Sequence, residues 1–316
     1  MPSGIPCRVR GWSTYRVPSI IGLLVRPSLL AATGALAIGA ALALPSGSAQ
    51  AQGVWVVPGL LGPNALPTLP VEDAAVGRNV LVQLEGIFQF NDQATDLSFS
   101  PYFRVEIPFR EVASLIVDGT PVEFWQVSPH TQAATGAANA SGTTKGDLRF
   151  GAKFTFVRET ECVPAMGLRL LFKSGTGKGL EDRRFTNAPA YMIDALFAKT
   201  LVQDAGVLRR LRIMAQLGFM AWQLDYPKQD DAFDWGVAVQ IGLGEAWQLE
   251  TQVRGYNGWD QYTSPIVAAL ETSYALPPVR FLVTVTRGLS SDAPDWGIRA
   301  GLDFGFEIPY LAGPKD

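Results

Sequence analysis

From residue 79 onward the chain alternates apolar and polar residues with a period of two, segment after segment. In 79–90, Val80, Val82, Leu84, Phe88 and Phe90 share one face, and Gln83, Glu85 and Gln89 share the other. Residues 97–109 set Phe99, Phe103, Val105, Ile107 and Phe109 against Ser98, Ser100, Tyr102, Arg104 and Glu106. Residues 147–157 set Leu148, Phe150, Ala152, Phe154 and Phe156 against Asp147, Arg149, Lys153 and Thr155. A helix would scatter these charges around its circumference, so the pattern predicts strands. Further strands are predicted at 164–173, 190–199, 210–221, 233–242, 247–256, 266–276, 279–287 and 295–306, with a weaker one at 121–127. Segment 190–199 is apolar on both faces except for Asp194. The total is twelve. Residues 112–119 alternate too poorly to be added, which sets a range of ten to fourteen.

The connections alternate in length. Long ones at 128–146, 174–189, 225–232, 257–265 and 288–294 contrast with tight ones such as 243–246 and 277–278. Long outer loops and short inner turns are the expected asymmetry of a membrane barrel. Aromatic residues fall near the predicted strand ends in two belts, with Phe90, Phe99, Tyr191, Trp235 and Trp296 at one rim and Phe109, Phe156, Trp247, Tyr274 and Phe306 at the other. A soluble β-sandwich also alternates, but it rarely keeps so many charges on one face of every strand. The chain past residue 51 has no apolar run long enough for a membrane helix, and lipid leaves an open sheet edge unsatisfied. The fold class is therefore an all-β, antiparallel transmembrane β-barrel. One residue resists this reading: Pro101, inside the second strand, removes a ladder donor.

Before the barrel lie two other textures. Residues 29–44 are apolar, follow Arg8, Arg10, Arg16 and Arg26, and lead into Ala49-Gln50-Ala51. That is the pattern of a signal peptide ending at residue 51, and the run is shorter than the roughly 20 residues of a spanning helix. Residues 52–78 form a Pro- and Gly-rich arm without a period, placed either in the periplasm or in the lumen. The barrel covers 79–306, and 307–316 form a periplasmic tail. Removing the leader takes four arginines and no acid, leaving 22 basic and 29 acidic residues and a net charge of −7. No basic stripe remains for a nucleic acid, so none is expected as a partner. Cys7 leaves with the leader, which leaves Cys162 alone in the mature chain.

The last strand, Arg299-Ala300-Gly301-Leu302-Asp303-Phe304-Gly305-Phe306, resembles the outer-membrane assembly signal, with Gly301, Phe304 and Phe306 at its defining positions. In that pattern the aromatic residue usually ends the chain, whereas here ten residues follow. The stretches 62–67, 146–153 and 288–297 resemble a group of outer-membrane barrels associated with phenol-degradation pathways and, more distantly, channels for hydrophobic compounds. The likeness covers most of 60–306. It implies an outer-membrane location in a Gram-negative-type bacterium, partners in lipid and the barrel assembly machinery, and a small apolar or aromatic solute. It transfers no binding residues.

Chemistry is sparse. His130 is the only histidine, beside Ser128 in an Ala-, Gly- and Thr-rich loop with no nearby carboxylate, so a hydrolase triad is not expected. One histidine and one cysteine in the mature chain make a transition-metal site improbable, and the acid clusters at 181–182 and 225–231 match no calcium loop. The chain is read as a non-enzyme without cofactor or metal. Function is expected on the lumen face, where Arg104, Arg149, Lys153, Arg169, Lys173, Arg210, Arg212, Arg254, Arg280 and Arg299 meet Glu85, Glu106, Asp147, Asp194, Glu250, Glu271 and Asp303. Mixed charge fits a wet passage for small solutes, and equally salt bridges filling a narrow interior. Twelve strands lie between filled eight-strand barrels and open sixteen-strand ones. Three readings stay open: a passive channel, a plugged structural barrel acting through its loops, and a barrel hydrolase.

Overall fold

The computed structural model describes residues 67–91, 95–182, 184, 189–223, 229–259 and 264–312. The expected leader and the first part of the arm lie outside them. Fourteen antiparallel strands follow the arm: β1 Asn79–Asn91, β2 Asp96–Phe109, β3 Ala113–Gly119, β4 Val122–Gln126, β5 Ser141–Lys145, β6 Leu148–Val157, β7 Ala165–Lys173, β8 Ala190–Ala205, β9 Leu208–Gln223, β10 Gln229–Leu243, β11 Trp247–Gly258, β12 Ile266–Leu276, β13 Val279–Gly288 and β14 Trp296–Glu307. Twelve of them form a closed ring, because β1 pairs with β14 on one side and β2 on the other. The other two, β4 and β5, make a hairpin that extends the wall. A short helix α1, Pro129–Thr135, lies between β4 and β5, and α2, Pro309–Ala312, follows β14.

The third wall strand differs from the sequence expectation. The ring contains β3, in the stretch that alternates poorly, whereas the segment expected at 121–127 is β4, its outward continuation. The alternation of β3 is present: Leu115 and Val117 face out while Ser114, Ile116 and Asp118 are buried. It is masked in sequence because Ile116, an inward residue, is apolar. The interruption between β3 and β4 also accommodates Pro101. On that side β2 pairs with β3 from Phe103 onward and with β4 only up to Phe99, and the register slips by one residue between them. Pro101 lies in this gap, so its missing N–H costs no ladder bond. The long outer connection at 128–146 contains α1 and β5 rather than loop alone.

The outer surface is apolar. Leu84, Phe88, Leu115, Phe150, Ile193, Leu217, Val237 and Val283 are exposed, while their strand neighbours face inward. A patch of that extent is a lipid-facing girdle, not a water-facing one. Trp247 and Tyr274 pack with tilted rings, centroids 5.0 Å apart, near the tight-turn rim. No helix among the described residues is long and apolar enough to cross a membrane, which says nothing about crossing by strands. Cys162 lies in the turn after β6. The only other cysteine of the sequence, Cys7, lies outside the described residues.

At the closing seam Gly301 sits against β1. A Cβ there would lie 2.1 Å from the Leu84 carbonyl oxygen and 2.7 Å from Glu85 Cγ. Gly301→Ala is expected to destabilise the barrel by about 1–3 kcal/mol, the usual range for overpacking. A lowered urea midpoint of the folded, heat-modifiable gel form checks it; an unchanged midpoint would show that the seam relaxes freely.

Candidate functional site

Residues 67–78 run inside the barrel. The described part of the arm is therefore luminal, the choice that the sequence left open. Its backbone is held by the wall. Thr68 Oγ1 accepts from Arg254, the Leu69 carbonyl from Gln216, and the Pro70 carbonyl from Arg169 at 3.1 Å. Val71 N donates to Gln252 Oε1 and Val76 N to Thr155 Oγ1, whose own hydroxyl donates to the Ala74 carbonyl. Apolar arm residues also fill inward positions. Leu69 packs among Ile116, Leu171, Met192, Met220, Trp222 and Tyr256, and Val71 and Ala74 pack among Leu196, Met214 and Ala238. Glycines make room for this: a Cβ on Gly236 would meet Val71 Cγ2 at 2.5 Å, and one on Gly167 would meet the Ala74 carbonyl oxygen at 2.8 Å.

The centre of the arrangement is Glu72. It accepts from Arg104 at 2.7 and 3.0 Å and from Arg169 at 2.8 Å, with Lys153 at 3.5 Å. Burial alone would raise its pKa; the three cations reverse this and hold it well below the usual carboxylate range. The next residue, Asp73, meets Arg212 at 2.7 Å and Arg210 at 3.5 Å. Arg212 also bonds Glu159 in the turn after β6. Burial of Glu159 is outweighed by the Thr200 N–H, Arg212 and Lys199, which bring it down to about 2. Glu72, Asp73 and Glu159 were not among the candidates drawn from sequence. The available signal was that Glu72 and Asp73 are the only acids in 52–78.

The lumen candidates are placed as follows. Glu85, Glu106, Asp147, Lys153, Arg169, Lys173, Asp194, Arg212, Glu250, Arg254 and Asp303 are buried, while Arg104, Arg149, Glu271, Arg280 and Arg299 are half-buried. Most are paired across neighbouring strands: Arg149–Asp118 at 2.6 Å, Arg169–Asp194 at 2.7 Å, Lys173–Asp147 at 2.6 Å, Arg280–Asp303 at 2.9 Å and Arg299–Glu85 at 2.7 Å. Arg210 meets Asp73 of the arm at 3.5 Å. It is exposed, at the tight-turn end of β9 beside the register shifts of both neighbouring strands. Gly301 faces the lumen side of the seam, and Phe304 and Phe306 lie together on the outside, ring centroids 5.8 Å apart. His130 is exposed on α1. Its neighbour Ser128 caps that helix by accepting from Thr131 N, and the Ser128 amide is held by Asp96 at 2.6 Å. Among the described residues, no group of three or more His, Cys, Asp or Glu side chains is arranged to hold a metal.

Between the arm and the outer ends of the strands is a cavity of about 120 Å³. It is far larger than the ~10–15 Å³ that one water needs. Its floor is Pro67, Thr68, Leu69, Pro70 and Glu72; its wall carries Arg104, Arg149, Arg169, Lys173, Arg254 and Arg299 against Asp118, Asp147 and Asp292, together with Tyr102, Tyr256, Leu171, Ile87 and Val267.

The fold is similar to that of an outer membrane channel from Pseudomonas putida F1, at 12% identity over 79% of this chain and 100% of that one, TM-score 0.56. Looser likenesses are to NanC porin (10% identity, 71% of this chain, 98% of that one, TM-score 0.49) and KdgM porin (9%, 72%, 99%, TM-score 0.46), and they carry no argument here. No family model matches the chain, and no curated protein matches it in sequence.

Two outcomes are expected for the arm. Glu72→Gln leaves three cations without their shared counter-charge and is expected to weaken arm docking by about 3–5 kcal/mol. Faster protease cleavage within 67–78 at pH 7 checks it. Wild-type docking should respond to acid. Because the folded pKa values of Glu72 and Glu159 are depressed, their contribution is full above the unfolded value near 4.5. It is lost progressively as pH falls below that, toward about 2 for Glu159 and through the lowered value of Glu72. Arm cleavage by an acid-active protease should rise across that window; a flat profile would show that these carboxylates do not hold the arm.

Proposed function

We propose that this protein is a passive outer-membrane channel for small solutes, with the luminal arm setting its width. The observation that carries this reading is the charged cavity, which lies between the arm and the outer strand ends inside a closed barrel with an apolar girdle. A wet, charged lumen selects solutes by field and size. The reading includes export under the leader ending at residue 51, recognition of the Gly301, Phe304 and Phe306 signal by the assembly machinery, and a final location in outer-membrane lipid. It assigns no catalytic role: Ser128 is engaged as a helix cap and His130 is exposed. The likeness to the Pseudomonas putida F1 channel supports the barrel architecture. The association with phenol-degradation pathways is part of the proposal and rests on the sequence resemblance.

A second reading, a non-conducting structural barrel, is favoured by the arm itself, whose apolar residues seal against the β7–β10 wall. Planar-bilayer recording of refolded residues 52–316 separates the two. The channel predicts steady, small conductance steps, and larger, noisier steps in Glu72→Gln. Silence in both proteins, with folding shown by heat-modified mobility, would favour the plugged barrel.

A further inference from the structure

We infer that the cavity above the arm is a binding site for a small organic carboxylate, with Arg254 as the partner of the carboxylate group. The inference deepens the channel reading by naming its solute class, and it rests on that reading for the site's purpose though not for its chemistry.

Charge comes first. Six cations line the cavity, and five are matched by carboxylates in the wall or arm. Arg254 is the exception. It is 6% exposed, and its partners are neutral: Gln252 Oε1 at 2.7 Å from Nη1 and Thr68 Oγ1 at 3.3 Å from Nε. Among the described residues no carboxylate forms an ion pair with it, and Nη2 has no hydrogen-bond partner. Glu250 and Glu271 act on it only through space, without a hydrogen bond. A buried guanidinium whose fork meets no carboxylate directly is costly, and its planar set of N–H donors matches a carboxylate in shape.

The surroundings narrow the ligand. The other five cations already have carboxylate partners, among them Asp118 for Arg149 and Asp147 for Lys173, so the cavity offers one cation whose fork meets no carboxylate, and a monoanion fits better than a phosphate or dicarboxylate. The rest of the wall is apolar or aromatic: Leu69, Leu171, Tyr102, Tyr256, Ile87 and Val267. Apolar walls with a few placed polar groups are the composition of a small-molecule site. A carboxylate carried on an aromatic or short aliphatic body satisfies both halves.

The test is calorimetric titration of the detergent-solubilised mature chain at pH 7, with benzoate as probe and benzamide as its neutral isostere. Benzoate should bind and benzamide should not. Arg254→Gln should weaken benzoate by about tenfold or more, the loss expected for a charge-assisted hydrogen bond. Arg254→Lys, which keeps the charge but not the fork, should fall between. Equal binding of benzoate and benzamide would overturn the proposal, and so would unchanged benzoate affinity in Arg254→Gln shown folded by heat-modified mobility. Displacement of benzoate by equimolar chloride would also overturn it, by showing a site for any small anion. Bilayer recordings on the same preparations report separately on transport. Silent barrels that still bind benzoate would sink the channel and leave the site standing. Conducting barrels that do not distinguish benzoate from benzamide would sink the site and leave the channel.

Discussion

The interior of this barrel depends on one carboxylate. Arg104, Lys153 and Arg169 come from three different strands and converge on Glu72, which belongs to none of them. Three cations crowded in a narrow lumen repel one another, and their desolvation adds to the cost. The wall supplies part of the compensation through Glu106 and Asp194. The rest arrives from the arm. The lumen and the arm are therefore complementary: the wall carries an excess of positive charge at that level, and the arm supplies what the wall lacks.

The same division holds for apolar surface. A lumen lined only by charges would need water or salt bridges throughout. Here the β7–β10 side presents Met192, Leu196, Met214 and Met220 inward, and these are covered by Leu69, Val71 and Ala74. The interior is thus a hydrophobic core on one side and an aqueous, charged cavity toward the outer rim. Twelve strands enclose enough space for both.

Much of the architecture was legible in the sequence, because lipid and lumen impose opposite demands on successive residues of a strand. Where the lumen face is charged, as with Arg104 and Glu106 or Arg149 and Lys153, the period of two is plain. Where the arm covers the wall, the contrast fades. That is why 190–199 reads as apolar on both faces and why β3, with Ile116 pointing inward, reads as irregular. Pro101 was an obstacle in the sequence and is explained only by the register slip between β3 and β4. The path of the arm was not legible, since residues 67–78 have no period and their partners lie from about 30 to more than 180 residues away. Glu72 went unnoticed for the same reason. The paired cations were visible, and their common partner was not.

The fit of the arm into the wall also constrains how such a sequence can change. A side chain at Gly236 would displace Val71, and one at Gly167 would collide with Ala74 as well as with the Phe154 carbonyl of the neighbouring strand. Met192 and Met214 can face inward only because the arm shields them. A substitution on either side alters the requirements on the other, although more than ninety residues separate Ala74 from Gly167 along the chain. Arm and barrel thus vary as one unit. Exchanging the arm for that of another barrel would amount to replacing part of this protein's core.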